Sequence, residues 1–142
     1  DITLRTGWCN SRPIVKANQF YSSPYTNEPP AKIGISGQPV KTPNGWLVIT
    51  HTVHMKNEKA GRLYTLSFMV LDLEDPSKVI YIHHEPILVP EKKYEKEGAV
   101  PMVVFSCATV DTGGNDIYIY WAGADTVICG GSISKKDLVM CY

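Results

Sequence analysis

The chain has 142 residues, 44% of them hydrophobic and 20% charged, and its 14 Lys and Arg balance 14 Asp and Glu. That is the size and composition of one folded domain, with a core large enough to need neither a disulfide nor a metal. Zero net charge argues against a nucleic-acid footprint or a polybasic membrane surface, aromatic and β-branched residues argue against disorder, and no apolar run approaches the roughly 20 residues that span a bilayer.

Residues 1–31 read as an extension or connecting strand, with a Pro-rich connection from Tyr25 to Pro30. The sequence starts at Asp1 rather than Met, and no signal peptide is expected. β-rich segments follow at Gln38–Lys41, Trp46–Met55, Leu63–Leu73 and Lys78–His83, then at Val103–Val110, Ile117–Trp121 and Thr126–Ser132, with Leu138–Cys141 as an expected last strand. In the second of these, Leu47, Ile49, His51 and Val53 share one face. Turns separate the segments: Thr42-Pro43-Asn44-Gly45, expected as a type I′ hairpin, then Lys56–Gly61, Glu74–Ser77, Asp111–Asp116 and Ala122–Asp125. The charged stretch Glu91–Glu97 reads as a surface connection.

The pattern repeats. Lys41–His51 and Val110–Trp121 share a layout of strand end, Gly/Asn turn and apolar strand, and each continues through a third and a short fourth strand. The expected fold is therefore all-β, a partial β-propeller of about two four-stranded antiparallel blades plus the N-terminal extension. Residues 32–84 form the first blade and residues 85–142 the connection and second blade of a single domain. A β-sandwich is the competing reading. Two blades cannot close a ring and leave two apolar faces open, so either a homo-oligomer or a missing N-terminal half is the expected partner.

Cys9, Cys107, Cys129 and Cys141 are widely spaced, with no C-x-x-C pair. They read as reduced, mostly buried thiols of a cytoplasmic protein. His51 and His54 are three apart on a strand and point to opposite faces, so no metal site is expected.

Four segments in order carry a resemblance: K-I-G-I-S-G-Q-P-V-K-T-P-N-G-W-L-V-I-T-H (Lys32 to His51), L-D-L-E-D-P-S-K-V-I (Leu71 to Ile80), E-P-I-L-V-P-E-K-K-Y-E-K-E-G-A-V-P-M-V-V-F (Glu85 to Phe105) and I-Y-I-Y-W-A-G-A-D-T-V-I (Ile117 to Ile128). Together they resemble glycoside hydrolase family 130, the β-mannoside phosphorylases and related hydrolases, built on a five-bladed β-propeller. Over residues 1–31 only Ser11 to Lys16 looks like the family. The match is to the C-terminal part of such an enzyme.

The resemblance implies an inverting reaction in which inorganic phosphate, as co-substrate, or water attacks the anomeric carbon of a β-mannoside. It implies that Lys32 and His51 bind phosphate and that Asp125 and Tyr64 contact the carbohydrate. An ammonium and an imidazole suit phosphate oxygens. Without the resemblance, His51 is a core histidine, Lys32 a solvated lysine, Asp125 a turn residue and Tyr64 a strand packing residue. The family's general acid lies in its N-terminal half, so no catalytic residue is assigned in this chain. Glu28, Asp72 and Asp111 lie in turns or connections, and no sequence motif supports any of them as the acid. The expectation is little or no turnover by the isolated chain, no resident cofactor, and a non-catalytic self-associating or carbohydrate-binding fragment as the alternative. Departures from the family pattern are Tyr64-Thr65-Leu66-Ser67 in place of Y-R-L-G, Met102 in place of asparagine, and Ser36-Gly37-Gln38-Pro39 in place of G-A-P-P.

Overall fold

Apolar residues on both faces of Gly45–Met55 make it a central strand. In a computed structural model that describes residues 12–20, 28–55 and 61–139, it is the spine of the first of two antiparallel sheets. In chain order the elements are β1 (Lys32–Ile35), β2 (Val40–Thr42), β3 (Gly45–Met55), β4 (Arg62–Leu71) and β5 (Val79–Ile82). A short α1 (Lys93–Lys96) follows, then β6 (Val104–Asp111), β7 (Asp116–Gly123), β8 (Val127–Ser134) and α2 (Lys135–Val139). The first sheet runs β1-β3-β4-β5, with β2 also paired to β3; the second runs β6-β7-β8. This is the partial-propeller, all-β architecture expected from the alternation, with antiparallel pairing throughout both sheets.

The core lies between the two sheets. Leu47 and Ile49 of β3 with Leu66, Phe68 and Val70 of β4 pack against Val104 of β6 and Ile117 and Ile119 of β7. Leu138 of α2 closes this cluster. The β1–β2 edge docks on β6, where Thr109 Oγ1 donates to the Gln38 carbonyl at 2.8 Å.

Several expectations are corrected. Leu138 belongs to a helix, not a last strand: the Lys136 N–H donates to Ser134 Oγ at 3.2 Å, capping a five-residue α2. The second sheet therefore has three strands among the described residues. Thr42–Gly45 is not a type I′ turn, because Pro43 fixes its own φ near −65° and neither central residue has positive φ. The primed geometry sits instead at Ala124 and Asp125, with φ of 46° and 54°. In the charged stretch, Glu95 is buried: its carboxylate accepts from the backbone of Glu91 and Lys92 at 2.9 Å each and from Trp121 Nε1 at 3.2 Å. Cys107 and Cys129 are free thiols, but Cys107 is exposed at the β6 bulge between Ser106 and Ala108. Cys9, Cys141 and the loop at residues 56–60 lie outside the described residues.

The two outer sheet faces differ, against the expectation of two open ones. That of the first sheet is covered over β3 and β4, where Val48, Met69 and Leu71 are buried with Val15 packed on them, while Ile35 at its β1 edge is 61% exposed. That of the second carries Val110, Tyr118, Tyr120 and Ile128, and Ile128 is 88% exposed. The Tyr120 ring lies over Gly130, where a Cβ would come within 3.1 Å of it.

Candidate functional site

Strand register gathers three of the four expected site residues on one sheet face. Lys32 of β1 pairs with Val53 of β3, which pairs with Tyr64 of β4. Gly34, His51 and Leu66 form the adjacent row. Residues two apart on a strand share a face, so Lys32, His51 and Tyr64 all lie on the face turned toward the second sheet. Lys32 is exposed, while His51 and Tyr64 are half-buried.

Asp125 reaches the same place from the second sheet. The β7–β8 hairpin turns at Ala124-Asp125, closed by the Thr126 N–H on the Gly123 carbonyl at 3.0 Å. The Ala124 N–H donates to the Val103 carbonyl at 2.9 Å, and the Tyr64 N–H to the Met102 carbonyl at 3.1 Å. These bonds tie the hairpin, the segment preceding β6 and β4 into one frame. Within it Tyr64, Val100, Val103, Phe105 and Asp125 enclose a hollow of about 200 Å³. Among the described residues lining it, Asp125 is the sole acid.

Phe105 links the two halves of this arrangement. Its ring lies 4.8 Å from that of His51 and meets Tyr64 edge-on at 6.3 Å. The motif containing Phe105 is visible in the sequence, but its position between a histidine and a tyrosine of another sheet is a product of packing. Phe105 and Asp125 also border a second hollow of about 400 Å³ that includes Tyr120 and Ile128 of the open face. The candidate site thus opens onto the uncovered side of the molecule.

Ser36 is the other residue with no role evident in the sequence. It is fully buried, and its Oγ lies 3.0 Å from His51 Nδ1. Burial holds the His51 pKa below its ordinary value, so the ring is neutral near pH 7. His54 faces the other way: its Nε2 is 3.1 Å from Thr52 Oγ1, which is 2.7 Å from Thr65 Oγ1. Among the described residues no group of three potential metal ligands converges. Nor is any helix there long and apolar enough to cross a membrane.

The described residues thus form an antiparallel propeller segment with a lysine, a histidine and a tyrosine on its inter-sheet face and an aspartate in the neighbouring hairpin turn. The chain belongs to glycoside hydrolase family 130: the family model, described as β-1,4-mannooligosaccharide phosphorylase, matches residues 9–142. It is 44% identical over 131 residues to a 1,2-β-oligomannan phosphorylase of Thermoanaerobacter sp., covering 92% of this chain and 40% of that protein. It is 38% identical over 109 residues to a β-1,4-mannooligosaccharide phosphorylase of Ruminococcus albus, covering 76% of this chain and 32% of that one. The solved β-1,2-mannobiose phosphorylase of Listeria innocua, in complex with β-1,2-mannobiose, superposes with a TM-score of 0.71 at 29% identity, over 84% of this chain and 32% of that one. The chain therefore spans 32–40% of the length of these relatives.

Proposed function

We propose that this chain supplies the phosphate-holding side and part of the sugar-holding side of a β-mannoside phosphorylase site. Lys32 and His51 hold inorganic phosphate, and Tyr64 and Asp125 contact the mannoside. One observation supports this reading: Phe105 packs against His51 and Tyr64 and shares its hollow with Tyr64 and Asp125, as expected if the phosphate and sugar sides are adjacent.

The chemistry follows from that division. A phosphate oxygen attacks the anomeric carbon, the glycosidic C–O bond breaks, and a general acid on the opposite side protonates the departing oxygen. The configuration inverts and mannose 1-phosphate forms. An ammonium and a neutral imidazole donor steady the phosphate charge without protonating it. The acid belongs to the part of the family enzymes that this chain does not span. The hollow's opening onto the uncovered face of the second sheet supports supply of that part from there. Phosphate is favoured over water because the relatives at 44% and 38% identity are phosphorylases.

The exposed Tyr118, Tyr120 and Ile128 support a second reading, a self-associating carbohydrate-binding fragment without turnover. The free thiols Cys107 and Cys129 support a reducing, cytoplasmic setting for either. The test is mannose 1-phosphate release from β-1,2- and β-1,4-mannobiose with inorganic phosphate, alongside calorimetric phosphate titration. Phosphate binding with negligible release is the expected result for the chain alone. Absence of phosphate binding overturns the first reading, and robust release by the chain alone overturns the assignment of the acid to another segment.

A further inference from the structure

The His51 ring is bounded on three sides. Ser36 is held beside β3 by its own N–H, which donates to the Ile49 carbonyl at 2.8 Å, and presents its Oγ 3.0 Å from His51 Nδ1. Gly34, the cross-strand partner of His51, leaves the space the ring fills; a Cβ there would stand 2.7 Å from Nε2. Phe105 covers the ring from the second sheet at 4.8 Å. The imidazole cannot turn over without disturbing a strand, a buried hydroxyl or an aromatic contact.

The direction of the Ser36–His51 hydrogen bond follows from counting protons. Ser36 is fully buried, and Nδ1 is the one partner recorded for its hydroxyl among the described residues. Were Nδ1 protonated and donating, the hydroxyl would keep a buried proton with no acceptor, and an unmade buried bond forfeits the group's desolvation energy. Were the hydroxyl donating, Nδ1 would be satisfied as an acceptor and the ring proton would reside on Nε2. The two arrangements have the same geometry, but only the second satisfies both groups.

We propose that Ser36 is a positioning residue that locks His51 in its Nε2–H tautomer, so that the neutral ring offers a donor to an anionic oxygen. For its ligand this rests on the phosphate-holding reading above; for the tautomer it rests on the Ser36 bond alone. In the other tautomer Nε2 would turn a lone pair toward phosphate oxygens and repel them. The serine opens the stretch Ser36-Gly37-Gln38-Pro39, where the family pattern often has G-A-P-P.

The test is nitrogen-15 NMR of the histidine rings in the whole chain, without ligand, with the His51 signals assigned by their loss in His51→Gln. A pyrrole-type Nε2 and a pyridine-type Nδ1 are expected, shifting toward a mixture in Ser36→Ala and retained in Ser36→Thr. Inorganic phosphate titrated calorimetrically should bind on the order of tenfold more weakly to Ser36→Ala, with Ser36→Thr restoring most of the affinity. A pyridine-type Nε2 in the unsubstituted chain overturns the proposal, as does an unchanged tautomer or unchanged phosphate affinity in Ser36→Ala. If the unsubstituted chain shows the Nε2–H signature but binds no phosphate, the tautomer lock stands and the phosphate reading falls.

Discussion

The rings of His51 and Phe105 stand 4.8 Å apart with their planes inclined at 57°, a contact between the two sheets at the mouth of the candidate site. The same phenyl group meets Tyr64. Phe105 is half-buried, so its truncation removes positioning more than core. Phe105→Ala is expected to cost about 1–2 kcal/mol of stability, below the usual range for a fully buried phenylalanine. It should weaken phosphate binding several-fold, while Phe105→Tyr keeps both within experimental scatter. Chemical denaturation and calorimetry check the pair.

Met102 occupies the left-handed region, with φ of 62°. The family pattern has asparagine at this position, and asparagine is one of the few side chains at ease there, whereas an unbranched apolar residue costs about 1 kcal/mol. Met102→Asn should therefore raise stability by about 0.5–1 kcal/mol, read as a shift in the urea midpoint at constant slope. An unchanged or lower midpoint would mean that the half-buried Met102 side chain contributes as much by packing as the backbone loses.

His54 is 1% exposed, and burial lowers its pKa, partly opposed by a hydrogen bond to the Glu28 backbone. The folded chain therefore binds a proton at His54 less readily than the unfolded chain does. The stability that depends on the neutral ring is complete above about pH 6.5, the ordinary histidine value, and is lost as pH falls below it. The loss is at most about 1.4 kcal/mol per pH unit from this residue. His51 and His83 are shifted in the same direction by burial and add to the slope. Urea midpoints between pH 5 and pH 8 test this, and His54→Gln should flatten part of the profile.

Asp125 has φ of 54° in a hairpin turn that suits Asn, Asp and Gly. Its backbone and carboxylate requirements can thus be separated. Asp125→Asn keeps the turn and removes the charge, so its stability should stay within about 0.5 kcal/mol of the parent. Asp125→Ala should lose about 1 kcal/mol to the left-handed conformation. If the carboxylate contacts the mannoside, both weaken sugar binding, and the asparagine variant does so with an intact fold. Equal mannoside affinity for Asp125→Asn and the parent would remove Asp125 from the site.

The outer face of the second sheet predicts association. Ile128 is 88% exposed beside Tyr118 and Tyr120, each more than 40% exposed. Light scattering at micromolar concentration should show a dimer, and Ile128→Glu should return it to monomer. A parent chain that is already monomeric would refute the expectation.

Much of the sheet architecture is legible in the alternation of residues. β3 and β7 announce themselves by two-residue periodicity, and their turns by Gly, Asn and Asp. β1 does not: Lys32–Ile35 is four residues with a glycine, and its strand character comes from pairing with β3, a long-range contact. α2 carries a start signal in Ser134 with Asp137 three residues on, yet it is too short for helical periodicity to show. At the site, Lys32, His51, Tyr64 and Asp125 can be named from motif resemblance, and strand parity already puts His51 and His54 on opposite faces. Phe105 and Ser36 cannot be found that way. Their importance lies in what they touch across strands and sheets, and no local pattern encodes it.

The unequal outer faces of the two sheets have a consequence for assembly. The outer face of the first sheet is covered over β3 and β4 by Val15, whereas that of the second is bare at Tyr118, Tyr120 and Ile128, so the two ends of the stack are unequally adhesive. Head-to-tail stacking needs two adhesive ends and can continue into rings or fibres. Association through the bare end alone is a mutual pairing, in which each copy consumes the other's bare face and growth stops.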